Sequence, residues 1–132
     1  MAVAAYGLGL LALLRVNDTY GHPVGDEVLK HLGRILQASV RREDLAVRYG
    51  GEEFLLLLFG ADRQAAKEGV KRIRERFRAE RVDPIPHPLT LSAGVAGGEV
   101  PQDPSQVEEW VLRADYALLR SKEAGRDRVT LA

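Results

Sequence analysis

The chain has 132 residues, of which 45% are hydrophobic and 29% are charged, and it contains no cysteine. This length and composition are typical of a single globular domain with a core of its own. Its 19 basic and 19 acidic residues balance, so no net field favours nucleic acid or an anionic membrane surface as a partner. The lack of cysteine excludes disulfides and thiol chemistry and fits a cytoplasmic location.

The N-terminal stretch is apolar, and no charged residue precedes Arg15. It lacks the basic start of a signal peptide and is shorter than the roughly 20 residues of a membrane-spanning helix. We predict a buried strand over residues 3–10 and a short helix over 11–20. Because the chain begins on a core strand, we expect residues 1–132 to form one domain excised from a longer multidomain protein.

The middle of the chain alternates helical and extended patterns. Apolar residues at helical spacing predict a helix that starts at 24–26, with Asp26 in its first turn, and runs to about Val40. Two apolar runs around Gly50 and Gly51 predict a β-hairpin. Asp62 is a suitable cap for a third helix that ends near residue 81. The apolar residues of this helix predict one buried inner face: Ala66, Val70, Ile73 and Phe77.

The last third predicts a strand, a helix and a short strand. Residues 89–96 alternate apolar and small polar side chains, which is typical of a strand. Ser105 and Glu108 have the spacing of a capping box, and Gly125 is a suitable helix stop. A final strand covers 128–131. The order β-α-α-β-β-α-β-α-β predicts an α/β sandwich with a mixed sheet.

Six segments of the sequence resemble the GGDEF domain of diguanylate cyclases. They are NDTYGH at 17–22, GDEVL at 25–29, RYGGEEF at 48–54, LSAGVA at 91–96, RAD at 113–115 and KEAGRDR at 122–128. The resemblance implies a nucleotidyl-cyclase palm, a ferredoxin-like mixed sheet of about five strands with helices packed on it. It also implies that two domains, each holding one GTP with Mg²⁺, form a homodimer that makes cyclic di-GMP and two pyrophosphates. A regulatory domain of a longer, sometimes membrane-attached, parent protein would control it.

The resemblance places guanine recognition at Asn17 and Asp26. A carboxylate accepts from guanine N1–H and the 2-amino group, and an amide can pair with another edge of the base. Such pairing rejects adenine, because the buried polar groups would then lack partners. The simpler alternative is that both side chains cap local structure, which does not exclude contact with a ligand.

The same resemblance places catalysis and metal binding at Glu52 and Glu53. Gly50 and Gly51 would let the triphosphate approach the backbone. By itself, the stretch is equally consistent with a glycine hairpin followed by solvated acids.

Two cations near the end of the fourth helix match the phosphate-binding pair of the family. Lys122 and Arg126 are four residues apart, so we predict that they share a helix face. The alternative is that they only complement the negative end of the helix dipole.

Arg41 and Asp44 form the R-x-x-D spacing that the family uses as its product-inhibition site for cyclic di-GMP. Arginine can pair bidentately with guanine O6 and N7, and aspartate can accept from the Watson–Crick edge. Arg72, on the third helix, is the candidate for a second arginine at this site. An isolated R-x-x-D is more often an ordinary salt bridge.

The sequence departs from the family at the first metal-binding motif, D-x-D. Counting back from Asn17, its two aspartates fall on Gly9 and Leu11, and no acidic residue precedes Asp18. A two-metal site needs several hard oxygen ligands. We therefore expect a weak or absent Mg²⁺ site, impaired catalysis, and retained binding of guanine nucleotides and cyclic di-GMP. The alternatives are an active cyclase that relies on Glu52, a silent cyclic di-GMP or GTP sensor, and a dimerisation scaffold.

Overall fold

The computed structural model describes residues 2–7, 10–49, 53–98 and 103–132. Five strands and four helices are formed there, in the predicted order. They are β1 Ala2–Gly7, α1 Leu10–Tyr20, α2 His22–Ser39, β2 Leu45–Arg48, β3 Glu53–Leu58, α3 Arg63–Ala79, β4 Ser92–Gly97, α4 Pro104–Glu123 and β5 Val129–Leu131. Within those ranges, none of the helices has the length and apolar character that crossing a membrane requires.

The five strands form one mixed sheet in the order β2-β3-β1-β4-β5. β1 lies at its centre and pairs antiparallel with both β3 and β4, while β4 and β5 run parallel. The hairpin of β2 and β3 forms one side of the sheet. This arrangement confirms the predicted α/β sandwich with a mixed sheet.

Helices cover the two faces of the sheet unequally. The larger core lies under α1, α2 and α3, and a smaller cluster on the other face packs beneath α4. The strand predicted within 89–96 is formed as β4, and it is buried on both faces. Gly94 shows why, since a Cβ there would lie 2.7 Å from the backbone carbon of Ala117. Glycine at this position lets α4 approach the sheet closely.

Two helix starts differ from the prediction. α2 begins at His22, and its N-cap is Gly21, with φ 93°, so Asp26 lies in the second turn and does not cap the helix. The reason is Pro23, which is compatible with the first turn because its missing N–H would have no helical partner there. α4 begins at Pro104 in place of a start capped by Ser105.

Asp103 caps α4 and accepts from both the hydroxyl and the backbone N–H of Ser105. These hydrogen bonds, from the hydroxyl first, lower the pKa of Asp103 because they favour the charged carboxylate. The predicted cap of α3 is confirmed, since Asp62 accepts from the Ala65 N–H at 2.7 Å. Its predicted inner face is also buried: Ala66, Val70, Ile73 and Phe77.

Candidate functional site

A carboxylate and an ammonium group approach the same end of the central strand. Glu53, the first residue of β3, is the register partner of Gly7, the last residue of β1. A Cβ on Gly7 would lie 3.1 Å from Nζ of Lys122 and 3.6 Å from Leu118. Residues that are paired across antiparallel strands share a face of the sheet, so Glu53 and Lys122 lie on the face that α4 covers. The Oε1 atom of Glu53 is shielded from solvent.

The base of the hairpin is closed by a hydrogen bond from the Tyr49 N–H to the Glu53 carbonyl, at 2.7 Å. Gly50, Gly51 and Glu52 lie between these two residues in the sequence and outside the described residues, as does Gly9. Their predicted roles therefore stay predictions. Glu53 is the acid of the predicted pair that the structure describes.

The side chain of Asn17 lies on the backbone of α2. Asn17 is in the last turn of α1, and a Cβ on Gly25 would overlap its Oδ1 atom and lie 3.0 Å from its Cγ. Gly25 is buried, and Asp26, the next residue, is exposed. The contact between Asn17 and Gly25 brings the two predicted guanine-binding residues to neighbouring positions. Gly25 thus makes room for the Asn17 side chain, a role that was not predicted from the sequence. Glycine is unfavourable inside a helix, and its presence there could have indicated such a role.

Arg126 lies beyond the end of α4, which stops at Glu123, so the prediction that Lys122 and Arg126 share a helix face was wrong. The chain instead turns back, and the Arg126 N–H donates to the Ser121 carbonyl at 2.9 Å. Gly125, as predicted, lies at the helix stop with φ 120°. A turn, rather than helical periodicity, thus places the backbone of Arg126 beside the last turn of α4.

The Asp44 side chain is hydrogen-bonded to the backbone of Arg41 and forms no salt bridge with the Arg41 side chain. The Asp44 carboxylate accepts from the Arg41 N–H at 3.1 Å and from the Phe59 N–H at 3.0 Å. Nη1 of Arg41 instead lies near Gly60, 3.8 Å from where a Cβ would be. Asp44 therefore fixes the connector to the end of β3, and the exposed Arg41 side chain is available to a ligand.

Arg72 lies on α3 and lines a cavity of about 250 Å³ between α2, β3 and α3. Ser39, Leu58 and Arg76 also line this cavity, whereas Arg41 and Asp44 do not. The structure therefore does not place Arg72 in one cavity with the R-x-x-D pair.

A cavity of about 500 Å³ lies between α1 and the segment that precedes β4. Val16, Tyr20 and His87 are among the residues that line it, and no predicted site residue does. Sequence reasoning did not indicate this cavity, because its walls come from two segments that are far apart in the chain.

The ligand set for magnesium is incomplete. In the part of the chain that the structure describes, no three His, Cys, Asp or Glu side chains come together as a metal-binding cluster. At the end of β1, the described donors are one carboxylate, Glu53, with the Lys122 ammonium on the same face. A pair of Mg²⁺ ions needs several anionic oxygen ligands. The residues that the structure describes at this point do not by themselves supply the ligands of a two-metal site.

Comparison with known proteins decides the family. The family model described as "Diguanylate cyclase, GGDEF domain" matches residues 8–128. The chain belongs to the GGDEF domain family. The sequence is 40% identical over 119 residues to diguanylate cyclase A of Treponema denticola, covering 89% of this chain and 32% of that protein. It is 41% identical over 122 residues to the probable diguanylate cyclase DgcT of Escherichia coli, covering 89% of this chain and 26% of that protein. This GGDEF domain thus spans about a third or less of the length of these relatives.

Solved GGDEF domains share the fold. The active GGEEF domain of a diguanylate cyclase from Vibrio cholerae superimposes with a TM-score of 0.86 at 27% identity, over 98% of this chain and 81% of that one. The GGDEF domain of DgcB from Caulobacter crescentus, in complex with c-di-GMP, gives 0.82 at 28% identity, over 98% and 76%. The family resemblance seen in the sequence motifs is therefore confirmed.

Proposed function

We propose that this GGDEF domain binds GTP and cyclic di-GMP and that its turnover of GTP is impaired. In this proposal Asn17 and Asp26 read the guanine base. Lys122, Arg126 and the backbone of Gly50 and Gly51 hold the phosphates.

One observation carries the proposal, namely that the Lys122 ammonium and Glu53 approach the same end of β1. The Lys122 ammonium lies over Gly7 and can neutralise phosphate oxygens there. Glu53 is the register partner of that same glycine. The acids that should follow β1 are replaced by Gly9 and Leu11. The residues proposed to bind the nucleotide are therefore present. The carboxylates of the first metal-binding motif, which catalysis would need, are missing.

The reaction of the family defines what is impaired. In each half-reaction, a ribose 3′-hydroxyl of one GTP attacks the α-phosphorus of the other, forms a P–O bond and displaces pyrophosphate. Two such steps need two domains face to face, because the product is two-fold symmetric. Glu52 and Glu53 are the candidates for receiving the 3′-hydroxyl proton. A homodimer is thus part of the proposal for any residual activity.

Cyclic di-GMP binding is proposed at Arg41 and Asp44, with Arg72 as an additional arginine. The exposed Arg41 side chain and the fixed Asp44 carboxylate support it. The DgcB domain of C. crescentus was solved with c-di-GMP, which makes the same ligand a reasonable candidate here. A silent sensor is the second candidate function, favoured by the missing acids, and a dimerisation scaffold is the third.

Regulation and location follow from the proposed ligands. The related cyclase SiaD of Pseudomonas aeruginosa forms a complex with its activator SiaC. We expect a regulatory domain or partner here too, and a cytoplasmic location, where GTP is available. Nucleic acid and membrane contact are not expected of this domain, because its formal net charge is +0.

Two measurements on the same preparation test the proposal. The first incubates the protein with GTP and Mg²⁺ and quantifies cyclic di-GMP; the second titrates GTP and cyclic di-GMP by calorimetry. Binding of both ligands with little product supports the proposal. Substantial product that is abolished in Glu52→Ala would identify a working cyclase. Unchanged cyclic di-GMP affinity in Arg41→Ala would remove the R-x-x-D site, and no binding of either nucleotide would leave the scaffold function.

A further inference from the structure

The turn after α4 has an unusual backbone that an arginine pair on α3 holds in place. Gly125, Arg126 and Asp127 have φ values of 120°, 63° and 46°, so three successive residues are left-handed. Residues with a Cβ rarely adopt this conformation and need surrounding contacts to keep it. Arg126 and Asp127 therefore need contacts that stabilise their left-handed backbone.

Arg74 supplies the most extensive of them. Its Nη1 atom donates to the Asp127 carbonyl at 2.5 Å and lies 3.6 Å from Oδ1 of the same residue. Both side chains are largely covered, 25% exposed for Arg74 and 29% for Asp127. Arg78, one helical turn further along α3, places Nη1 3.4 Å from the other carboxylate oxygen. Arg74 thus hydrogen-bonds the backbone of the turn and also forms a partly buried ion pair with the Asp127 carboxylate, a combination that fixes geometry better than a surface salt bridge.

We propose that Asp127 and Arg74 are positioning residues that hold Arg126 beside Lys122 for binding the triphosphate. The inference rests on the proposed function, because it assumes that Arg126 contacts phosphate. Arg74 and Asp127 act through the backbone of the turn and touch no ligand. Without the clamp, the turn relaxes toward ordinary φ values, and Arg126 no longer sits next to the end of α4.

The variant Asp127→Ala distinguishes two explanations, because they predict opposite changes in GTP affinity. Removing a negative charge near a phosphate site should tighten GTP binding if only the electrostatic field matters. Releasing the turn should instead weaken GTP binding, by about five- to tenfold, the size of one ordinary hydrogen bond. Guanosine, which has no phosphate, should bind the variant and the wild type equally. Calorimetry with both ligands measures the two affinities.

Matched variants separate positioning from a general loss of charge or fold. Asp127→Asn keeps an acceptor and tolerates left-handed φ, so it should restore most of the GTP affinity. Arg74→Ala should weaken GTP binding as Asp127→Ala does, without changing the sequence of the turn. Arg76→Ala removes an exposed arginine of α3 that pairs with Glu80 and should leave GTP affinity unchanged. Circular dichroism and thermal melts confirm folding, and Arg74→Ala decides if Asp127→Ala does not fold.

The closing experiment is a double-mutant cycle between Arg74 and Arg126, measured as GTP affinity. Positioning predicts that Arg126→Ala weakens binding about tenfold and that adding Arg74→Ala causes little further loss. Additive losses, or an Arg74→Ala affinity equal to the wild type, would overturn this inference while the proposed function stands. No GTP binding by the wild type, or no effect of Arg126→Ala, would overturn the proposed phosphate site itself.

Discussion

The Nζ atom of Lys122 lies over Gly7, so that a cation from the last turn of α4 meets the end of the central strand. The two residues are far apart in the sequence and are joined by the packing of α4 on β1. Leu118, one turn before Lys122, is in the core on this face and holds the helix in that position. This contact gives the proposed phosphate site its most specific structural feature.

Adding a methyl group at Gly7 tests the position of Lys122. A Cβ would stand 3.1 Å from Nζ and 3.3 Å from Cε, closer than ordinary contact, so Gly7→Ala should displace the ammonium group. We expect GTP affinity to fall about tenfold in both Gly7→Ala and Lys122→Ala. Lys71→Ala, which removes an outer lysine of α3, is the control. Equal GTP affinity in Lys122→Ala and Lys71→Ala would contradict the role of Lys122.

Gly25 and Gly33 provide a matched pair inside α2. Alanine at either position should favour the helical state by about 1 kcal/mol relative to glycine. At Gly25 the new Cβ overlaps Asn17 Oδ1, whereas at Gly33 it makes an ordinary 3.6 Å contact with Phe54. We therefore expect Gly25→Ala to melt near or above the wild-type temperature and yet to lose preference for GTP over ATP. Competition binding of the two nucleotides measures the preference, and an unchanged preference would show that Asn17 does not read guanine.

Arg41 and Asp44 should separate ligand binding from stability. Arg41→Ala should abolish cyclic di-GMP binding with little effect on unfolding, because its side chain is exposed. Asp44→Ala should also lower the free energy of unfolding by about 1 kcal/mol, since two exposed backbone N–H groups exchange their acceptor for water. Urea unfolding and calorimetry measure the two effects. An Asp44→Ala protein as stable as the wild type would mean that these hydrogen bonds contribute little.

Gly94 should be the least tolerant glycine outside the site. A Cβ there would overlap the backbone of α4 at Ala114 and Leu118, which cannot move without lifting the helix from the sheet. We expect Gly94→Ala to cost at least about 3 kcal/mol of unfolding free energy. Gly98→Ala, whose Cβ would make only a 3.6 Å contact with Trp110, is the control. Similar urea midpoints for both variants would contradict the close packing of α4.

Much of this architecture could be predicted from local patterns. The order of elements, the buried face of α3 and its cap at Asp62 follow from periodicity and capping chemistry. The alternation around Gly94 predicts β4, but it does not predict burial on both faces, which depends on the close packing of α4. The start of α2 was misplaced because Pro23 is compatible with a first helical turn as well as with a break.

The candidate site, like the fold, was predicted only in part. Short motifs named its residues, but the contacts that position them are long-range. The contact of Lys122 with Gly7 joins α4 to β1, and the hydrogen bond from Arg74 to Asp127 joins α3 to the turn after α4. In both cases the joined segments are distant in the chain. Such pairs leave no local pattern, so Arg74 and Asp127 were not among the predicted site residues.

Production of cyclic di-GMP tests the central claim most directly. The wild type, Glu52→Ala and the double variant Gly9→Asp with Leu11→Asp would each be fused to the same dimeric coiled coil and incubated with GTP and Mg²⁺. We predict little product from the wild type, none above background from Glu52→Ala, and an increase of about a hundredfold or more when the acids are restored, because metal ligands contribute by orders of magnitude. Rapid turnover by the wild type that does not increase in the double variant would contradict the account.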